Sequence, residues 1–384
     1  MVVDSWDQPF NGTVVSSRRF ATALLNRGHS VRVLCLAGAT HPIEGVEYYR
    51  LPPLLIPGVT SIMERMRTFL ARPEGRVIET ALTGADLLHI QFPFFAGGAA
   101  ASIAQAMGVP VVASFHLQAE NILRNLYLPN RLFSPIVYWL FRNYIYRKCK
   151  LVIAPSPFAA RLIGSLAVDV PVRVLSNGIP STQLDAYRHR EFMPEQVKVL
   201  CVGRLAREKR YDIIVNALAK TKKPERYTVT FAGTGPKKAS IEKLCEQRRV
   251  SAKFLTPSDE QLASLYREAD LFLHAGESEL EGMSVMQAMA AGVPTLVSDS
   301  NMSAARELTT IKSSRFHFPD SRDLAARIDA LAERPELVSE LSRGNHQAVA
   351  CLDHHNVVNE LLEIYRQAIG SDKLSKLETF TATG

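Results

Sequence analysis

Short runs of apolar and β-branched residues recur along the chain with helical segments between them. VRVLCL at 31–36, DLLHI at 86–90, VPVVASF at 109–115, LVIAPS at 151–156 and VRVLSN at 172–177 form one series. VKVLCVG at 197–203, YTVTFAG at 227–233, DLFLHAG at 270–276 and VPTLVSD at 293–299 form a second. Runs that are apolar nearly throughout and alternate with helices predict parallel strands covered on both faces. Two such series predict two doubly wound α/β domains. The turn-forming run Ser176-Asn177-Gly178-Ile179-Pro180 suits a linker between them. After Gly370 the chain turns polar and is expected to be disordered.

Length agrees with this division, because 384 residues exceed what one hydrophobic core organises. With 47% hydrophobic and 22% charged residues, a soluble globular protein is expected. Cys35, Cys149, Cys201, Cys245 and Cys351 are scattered and form no C-x-x-C pair, which points away from a disulfide framework or zinc cluster and towards a reducing, cytoplasmic setting. Asp4, Trp6 and Asp7 stand where an apolar leader would begin, so no signal peptide is expected. The uncharged stretch from Ile90 to Phe115 is broken by Gly97, Gly98, Gly108 and Pro110 and does not read as a membrane span.

Charge changes the picture more. Residues 1–176 hold 17 Lys and Arg against 10 Asp and Glu, whereas 177–384 hold 28 of each, so the whole excess of +7 lies in the first half. Within it, residues 121–150 carry Arg124, Arg131, Arg142, Arg147, Lys148 and Lys150, no acidic residue, and seven aromatics including Trp139. Stacking aromatics beside basic residues also occur in nucleic-acid binders. The long apolar run PIVYWLF suits insertion better, so an interfacial helix on an anionic membrane surface is favoured and no nucleic-acid partner is expected. At about 1 kcal/mol per basic residue near such a surface, six would give reversible attachment. LPPLLIPGV at 51–59, with Met63, Met66 and Phe69 beyond it, is a second candidate contact.

In open parallel sheets, ligands bind beyond the carboxyl ends of the strands. Five such ends carry polar candidates: Asn11-Gly12 after the strand at MVV, His116 after VVASF, Gly203 with Arg204 and Lys209, Gly233 in AGTGP, and the acidic run Glu277, Glu279, Glu281 before a helix-forming segment. Cations near a helix start oppose its dipole, so Arg204 and Lys209 require a reason, and a diphosphate supplies one. AGTGP lacks the third glycine of a dinucleotide fingerprint. No Asp-x-Asp triplet occurs, so no metal site is expected. His89 sits within its strand and reads as a residue that packs or hydrogen-bonds.

These pieces resemble a retaining GT-B glycosyltransferase of family 4 over nearly the whole chain, through DSWDQPFNGTVVSS, GHSVRVL, GVPVVASFH, SNGIP, GRLAREKR, AGTGP and ELEGMSVMQAMAAGVP. Within the family, FHLQAEN, ELEGMSVMQAMAAG and SDSNMSAAREL look most like the lipid (diacylglycerol or sterol) α-glucosyltransferases. The resemblance implies an acceptor-binding and membrane-docking domain over 1–176, a nucleotide-sugar donor domain over 177–350, and over 351–384 a C-terminal helix crossing back to the first domain plus a flexible tail. It implies transfer of a hexose, glucose above all, from a UDP-linked sugar to a membrane lipid at the cytoplasmic face, with no cofactor. Alternatives are a sterol, soluble glycan or polyprenyl-linked acceptor, a nucleotide-sugar epimerase and a non-enzymatic membrane adaptor.

Residue by residue, the resemblance assigns Arg204 and Lys209 to the donor diphosphate and Glu279 to the sugar hydroxyls. The helix-start amides of Gly282, Met283 and Ser284 fall near sugar and phosphate. His116 falls near the reacting carbon, and Asn11-Gly12 in the facing loop. Gln287 stands where the family has a second Glu that accepts from both ribose hydroxyls, and an amide accepts only at its oxygen. Glu277 and Glu281 are expected as surface or capping charges.

Overall fold

The computed structural model describes residues 1–8, 11–36, 41–55, 69–126, 128–166, 168–184, 187, 195–309 and 311–370. The chain divides into two compact units: Met1–Ala119, Leu128–Asn177 and the chain from Asn356 on form the first, and Glu120–Tyr127 with Gly178–His355 the second. Each is a parallel-sheet α/β unit, as the strand pattern predicts.

In the first unit β1 (Val31–Leu36) pairs with β2 (Val46–Leu51), and β3 (Leu88–Ile90), β4 (Val111–Ser114), β5 (Leu151–Ala154) and β6 (Val172–Val174) pair in that order, all parallel. Val2 joins the two groups by bridging Leu34 and Ile90, with Val2 N–H donating to His89 O (2.9 Å) and Leu34 N–H to Met1 O (2.9 Å). β3, β4 and β5 are buried at every position, which is why they read as continuous apolar runs. The helix His354–Ile369 lays Val357, Val358, Leu361 and Ile364 against Phe20, Val112, Leu151, Ile153 and Leu175. Their spacing of one, three and three makes one apolar stripe. From this helix Tyr365 reaches the core, its hydroxyl 2.6 Å from His89 Nδ1, while His89 Nε2 lies 2.8 Å from Ser114 Oγ.

The second unit is built on a six-stranded parallel sheet. β7 (Val197–Val202), β8 (Tyr227–Ala232), β9 (Ser251–Leu255), β10 (Leu271–His274), β12 (Thr295–Ser298) and β14 (Arg315–Phe316) stand in the order β14-β12-β10-β7-β8-β9. Side-chain alternation sends Val199, Cys201, Val229, Leu271 and Leu273 to one core, and Leu200, Phe272 and Val297 to the other. The second core also holds Val285, Met286, Ala288, Met289 and Ala290 of the helix Met283–Ala290. The chain leaves β7 outward through β8 and β9, then returns to β10 on its other side. That reversal puts the topological switch point between β7 and β10, where open α/β sheets bind ligands. A small pair, β11 (Ser278–Glu279) with β13 (Met302–Ser303), follows β10 and β12.

Candidate functional site

At the carboxyl end of β7, Gly203 has φ +140°, and beside it at the end of β8 Gly233 has φ +148°. A Cβ on Gly233 would lie 2.2 Å from the carbonyl oxygen of Gly203, so the two turns approach backbone to backbone. Only glycine tolerates both conditions. The chain then runs through a 3₁₀ turn, Arg207–Lys209, into the helix Tyr211–Leu218. That turn brings Lys209 back over the end of its own strand: its Nζ would lie 3.6 Å from a Cβ on Gly203. Arg204 Nη2 donates to Glu208 Oε1 at 2.7 Å, and the Glu208 side chain is buried.

Lys209 Nζ also donates to Oε1 of Glu279, which β11 supplies after β10. Glu279 is thus held by a cation 70 residues earlier in the chain. Burial pushes its carboxyl up, but Lys209, His274 and Arg204 outweigh that and hold it below the ordinary carboxylate range. His274 closes β10, is only 4% exposed, and has Nε2 3.6 Å from the same Oε1. Burial is the main cause lowering its pKa to about 4, with Glu279 pulling up and Lys209 down. The ring is neutral at pH 7.

The helix Met283–Ala290 starts at Gly282, whose φ of +94° lets the chain turn into it. Val285 and Met286 N–H groups bond to Gly282 O, so the amides of Met283 and Ser284 precede the first intrahelical bonds. Gln287 lies one turn in, its amide oxygen 3.1 Å from the hydroxyl of Tyr266, which also lies 3.2 Å from Ser284 O.

Glu277 and Glu281 are not surface charges. Glu277 pairs with Arg124 and lies 3.6 Å from Arg210, and Glu281 is buried. Ser278 Oγ bonds Asn121 Oδ1, so the segment 120–127 is tied to this unit twice through one strand-end loop. The Arg124 guanidinium is occupied by Glu277.

The other candidates lie in the first unit. Asn11 caps the helix Gly12–Leu25, its Oδ1 accepting from Thr13 N–H at 3.0 Å. His116 is half-buried two residues beyond β4, with its pKa lowered by burial to about 4. The helix Asn130–Tyr144 turns Ser134, Tyr138, Phe141 and the following Ile145 inward. Leu132, Ile136, Trp139 and Leu140 are 69%, 53%, 59% and 49% exposed, at the spacing of a second apolar stripe facing away. Arg142 and Arg147 share Asp169 at 3.3 and 3.0 Å, and Lys148 Nζ bonds Ser102 Oγ. The Arg131 side chain and residues 56–68, with most of the second candidate contact, lie outside the described residues. Among the described residues no helix is long and apolar enough to cross a membrane, and no three His, Cys, Asp or Glu side chains gather as metal ligands.

The two parallel-sheet units and the family matches define the class, a GT-B glycosyltransferase. Residues 10–183 match Glycosyltransferase Family 4 and residues 183–347 match Glycosyl transferases group 1, and the chain belongs to this family of enzymes. It is 24% identical over 317 residues to the alpha-monoglucosyldiacylglycerol synthase of Streptococcus pneumoniae, a match covering 77% of this chain and 70% of that enzyme. It is 26% identical over 329 residues to a GDP-mannose-dependent alpha-mannosyltransferase of Mycobacterium tuberculosis, covering 81% and 80%. Among solved structures, Anabaena Alr3699/HepE in complex with UDP and glucose superposes with a TM-score of 0.71 at 18% identity, over 94% of this chain and 97% of that one.

Proposed function

We propose that the protein transfers a hexose, glucose above all, from a UDP-linked sugar to a membrane lipid such as diacylglycerol, with retention, while attached peripherally to the cytoplasmic face of the membrane. The second unit holds the donor. Arg204 and Lys209 carry the positive charge that stabilises the departing diphosphate, the largest demand of the reaction. Glu279 accepts hydrogen bonds from the sugar hydroxyls, and the Met283 and Ser284 amides face phosphate from a helix N-terminus. Gln287 accepts from ribose. The bond from the anomeric carbon to the diphosphate oxygen breaks as the bond to the acceptor oxygen forms on the same face. The acceptor's proton passes to the departing phosphate, so no protein nucleophile is required. His116 contacts the sugar near its anomeric carbon, and Asn11-Gly12 belong to the facing loop; both rest on the family resemblance.

One observation carries the choice of a lipid acceptor: the exposed row Leu132, Ile136, Trp139 and Leu140 on a helix whose other face is already packed. A water-soluble chain rarely leaves such a row uncovered. Lys148 and Lys150, with the one positive charge left over where Arg142 and Arg147 share Asp169, supply charge at the helix end for anionic headgroups, and a diacylglycerol-glucosylating relative fits the same acceptor class.

Flotation with phosphatidylglycerol vesicles tests the attachment. Wild type is expected to float with the vesicles, whereas the exposed-face double variant Ile136→Glu/Leu140→Glu stays behind and loses transfer to vesicle lipid. If the double variant floats and transfers like wild type, the lipid-surface reading fails.

A further inference from the structure

In the second unit, one carboxylate oxygen has two suitors. Glu279 Oε1 accepts from Lys209 Nζ, and the same oxygen lies 3.6 Å from His274 Nε2. At 3.6 Å the imidazole makes no hydrogen bond. His274 Nε2 is nevertheless buried, and no other group among the described residues satisfies it. Buried polar atoms without partners are rare enough that each calls for a reason. The space between ring and carboxylate is also kept open by the sequence. A Cβ on Gly276 would stand 2.5 Å from His274 Nε2 and 3.4 Å from Glu279 Oε1.

The proposed function asks two incompatible things of Lys209. It neutralises Glu279 in the structure, and it must turn its ammonium to the donor's diphosphate. A largely enclosed carboxylate that loses its hydrogen-bonded cation is strongly disfavoured, so the lysine would be retained unless another donor replaced it. We infer that His274 is a positioning residue that takes over Glu279 Oε1 when the diphosphate draws Lys209 away, donating from Nε2–H to the carboxylate. A small rotation of either side chain closes the gap. A neutral imidazole suits the task better than a cation, because it steadies the carboxylate without competing for phosphate. The same exchange fixes the orientation in which Glu279 receives the sugar hydroxyls.

This inference rests on the second unit being the donor site, and a double-mutant cycle separates the two claims. UDP, with GDP in parallel, is titrated calorimetrically into wild type, His274→Ala, Glu279→Gln and the double variant. His274→Ala is expected to weaken nucleotide diphosphate binding about tenfold, because Lys209 stays tied to Glu279. In the Glu279→Gln background, where the lysine is already free, the same change is expected to cost at most about twofold. His274→Gln, which keeps a neutral N–H donor, is expected to recover most of the affinity. Equal losses in both backgrounds, or no loss in either, would overturn the role of His274 and leave the donor site standing. Wild type that binds neither nucleotide, or Lys209→Ala that binds as tightly as wild type, would overturn the donor site itself.

Discussion

The hydroxyl of Tyr266 stands 3.1 Å from the side-chain amide oxygen of Gln287 and 3.2 Å from the carbonyl oxygen of Ser284. A phenol has one hydrogen and can satisfy only one of the two acceptors at a time. When it donates to Ser284 O, its oxygen accepts from the Gln287 amide nitrogen once that amide is turned over, leaving the amide oxygen for a ribose hydroxyl. Which end of an amide points where is assigned from its hydrogen bonds, and here the neighbour allows both. Tyr266→Phe is therefore expected to raise the Michaelis constant for the nucleotide sugar about three- to tenfold with little change in kcat. Gln287→Glu is expected to lower that constant by up to about tenfold, since a carboxylate accepts at both oxygens. An unchanged constant in Gln287→Glu would remove Gln287 from the donor site.

Lys209→Ala is expected to lose about 100-fold or more in kcat/KM, the usual scale for removing a group that stabilises developing charge. It also leaves the Glu279 carboxylate without its cation and should cost about 3 to 5 kcal/mol of stability. Lys209→Ala/Glu279→Gln removes the stranded charge and should recover most of the stability but none of the activity. Thermal melts and steady-state kinetics on the same preparations separate the two effects.

Gly233→Ala places a methyl carbon 2.2 Å from the Gly203 carbonyl oxygen at a φ of +148°. The cost is expected to be about 1 to 3 kcal/mol from the backbone conformation alone, with the overlap added to it. Because Gly203 and Gly233 meet beside Arg204 and Lys209, nucleotide binding should weaken together with the melting temperature. Gly75→Ala, with open space around the added carbon, serves as the contrasting substitution and should leave both nearly unchanged.

Acid should destabilise the fold through imidazoles that it keeps neutral. His116 and His274 have pKa values lowered by burial to about 4, and burial holds His89 well below its ordinary value. Between pH 4 and 6.5 the unfolded chain binds protons that the folded chain refuses, so stability falls as pH drops through that window. His274 alone accounts for up to about 3 kcal/mol of this. Asp4 opposes it: burial raises its pKa to about 6, so its contribution grows as pH falls from 6 towards 3.8. Three imidazoles and the Met1 amine, which burial lowers to about 5, outweigh Asp4 and Asp329, whose carboxyl burial also raises, and predict a net loss, measurable as a denaturation midpoint in urea that falls steadily from pH 7 to pH 5.

How far the sequence carries depends on burial. The strands packed on both faces are legible because burial leaves them apolar throughout, as in VVAS of β4 and LFLH of β10. β2 (VEYYRL) and β9 (SAKFL) escape notice because they are sheet edges with polar, partly exposed positions. The strand-end rule selects Arg204, Lys209 and Glu279 one at a time, and only the fold shows Lys209 bonded to Glu279. His274 is missed although the strand-end rule that picks His116, two residues beyond β4, would have found it: it is the last residue of β10, two before a glycine. Nothing local announces that Arg124 pairs with Glu277, since 153 residues separate them. A basic residue in a basic aromatic run reads as a lipid contact until the tertiary structure supplies its carboxylate.

The most direct test of the account is to incubate the protein with UDP-glucose and phosphatidylglycerol vesicles containing diacylglycerol, and to identify the lipid-phase product by mass and anomeric configuration. The expected product is diacylglycerol heavier by one hexose in α-linkage, formed in proportion to vesicle surface and absent with Lys209→Ala. Hexose appearing only on a water-soluble acceptor, at a rate indifferent to vesicles, would contradict it.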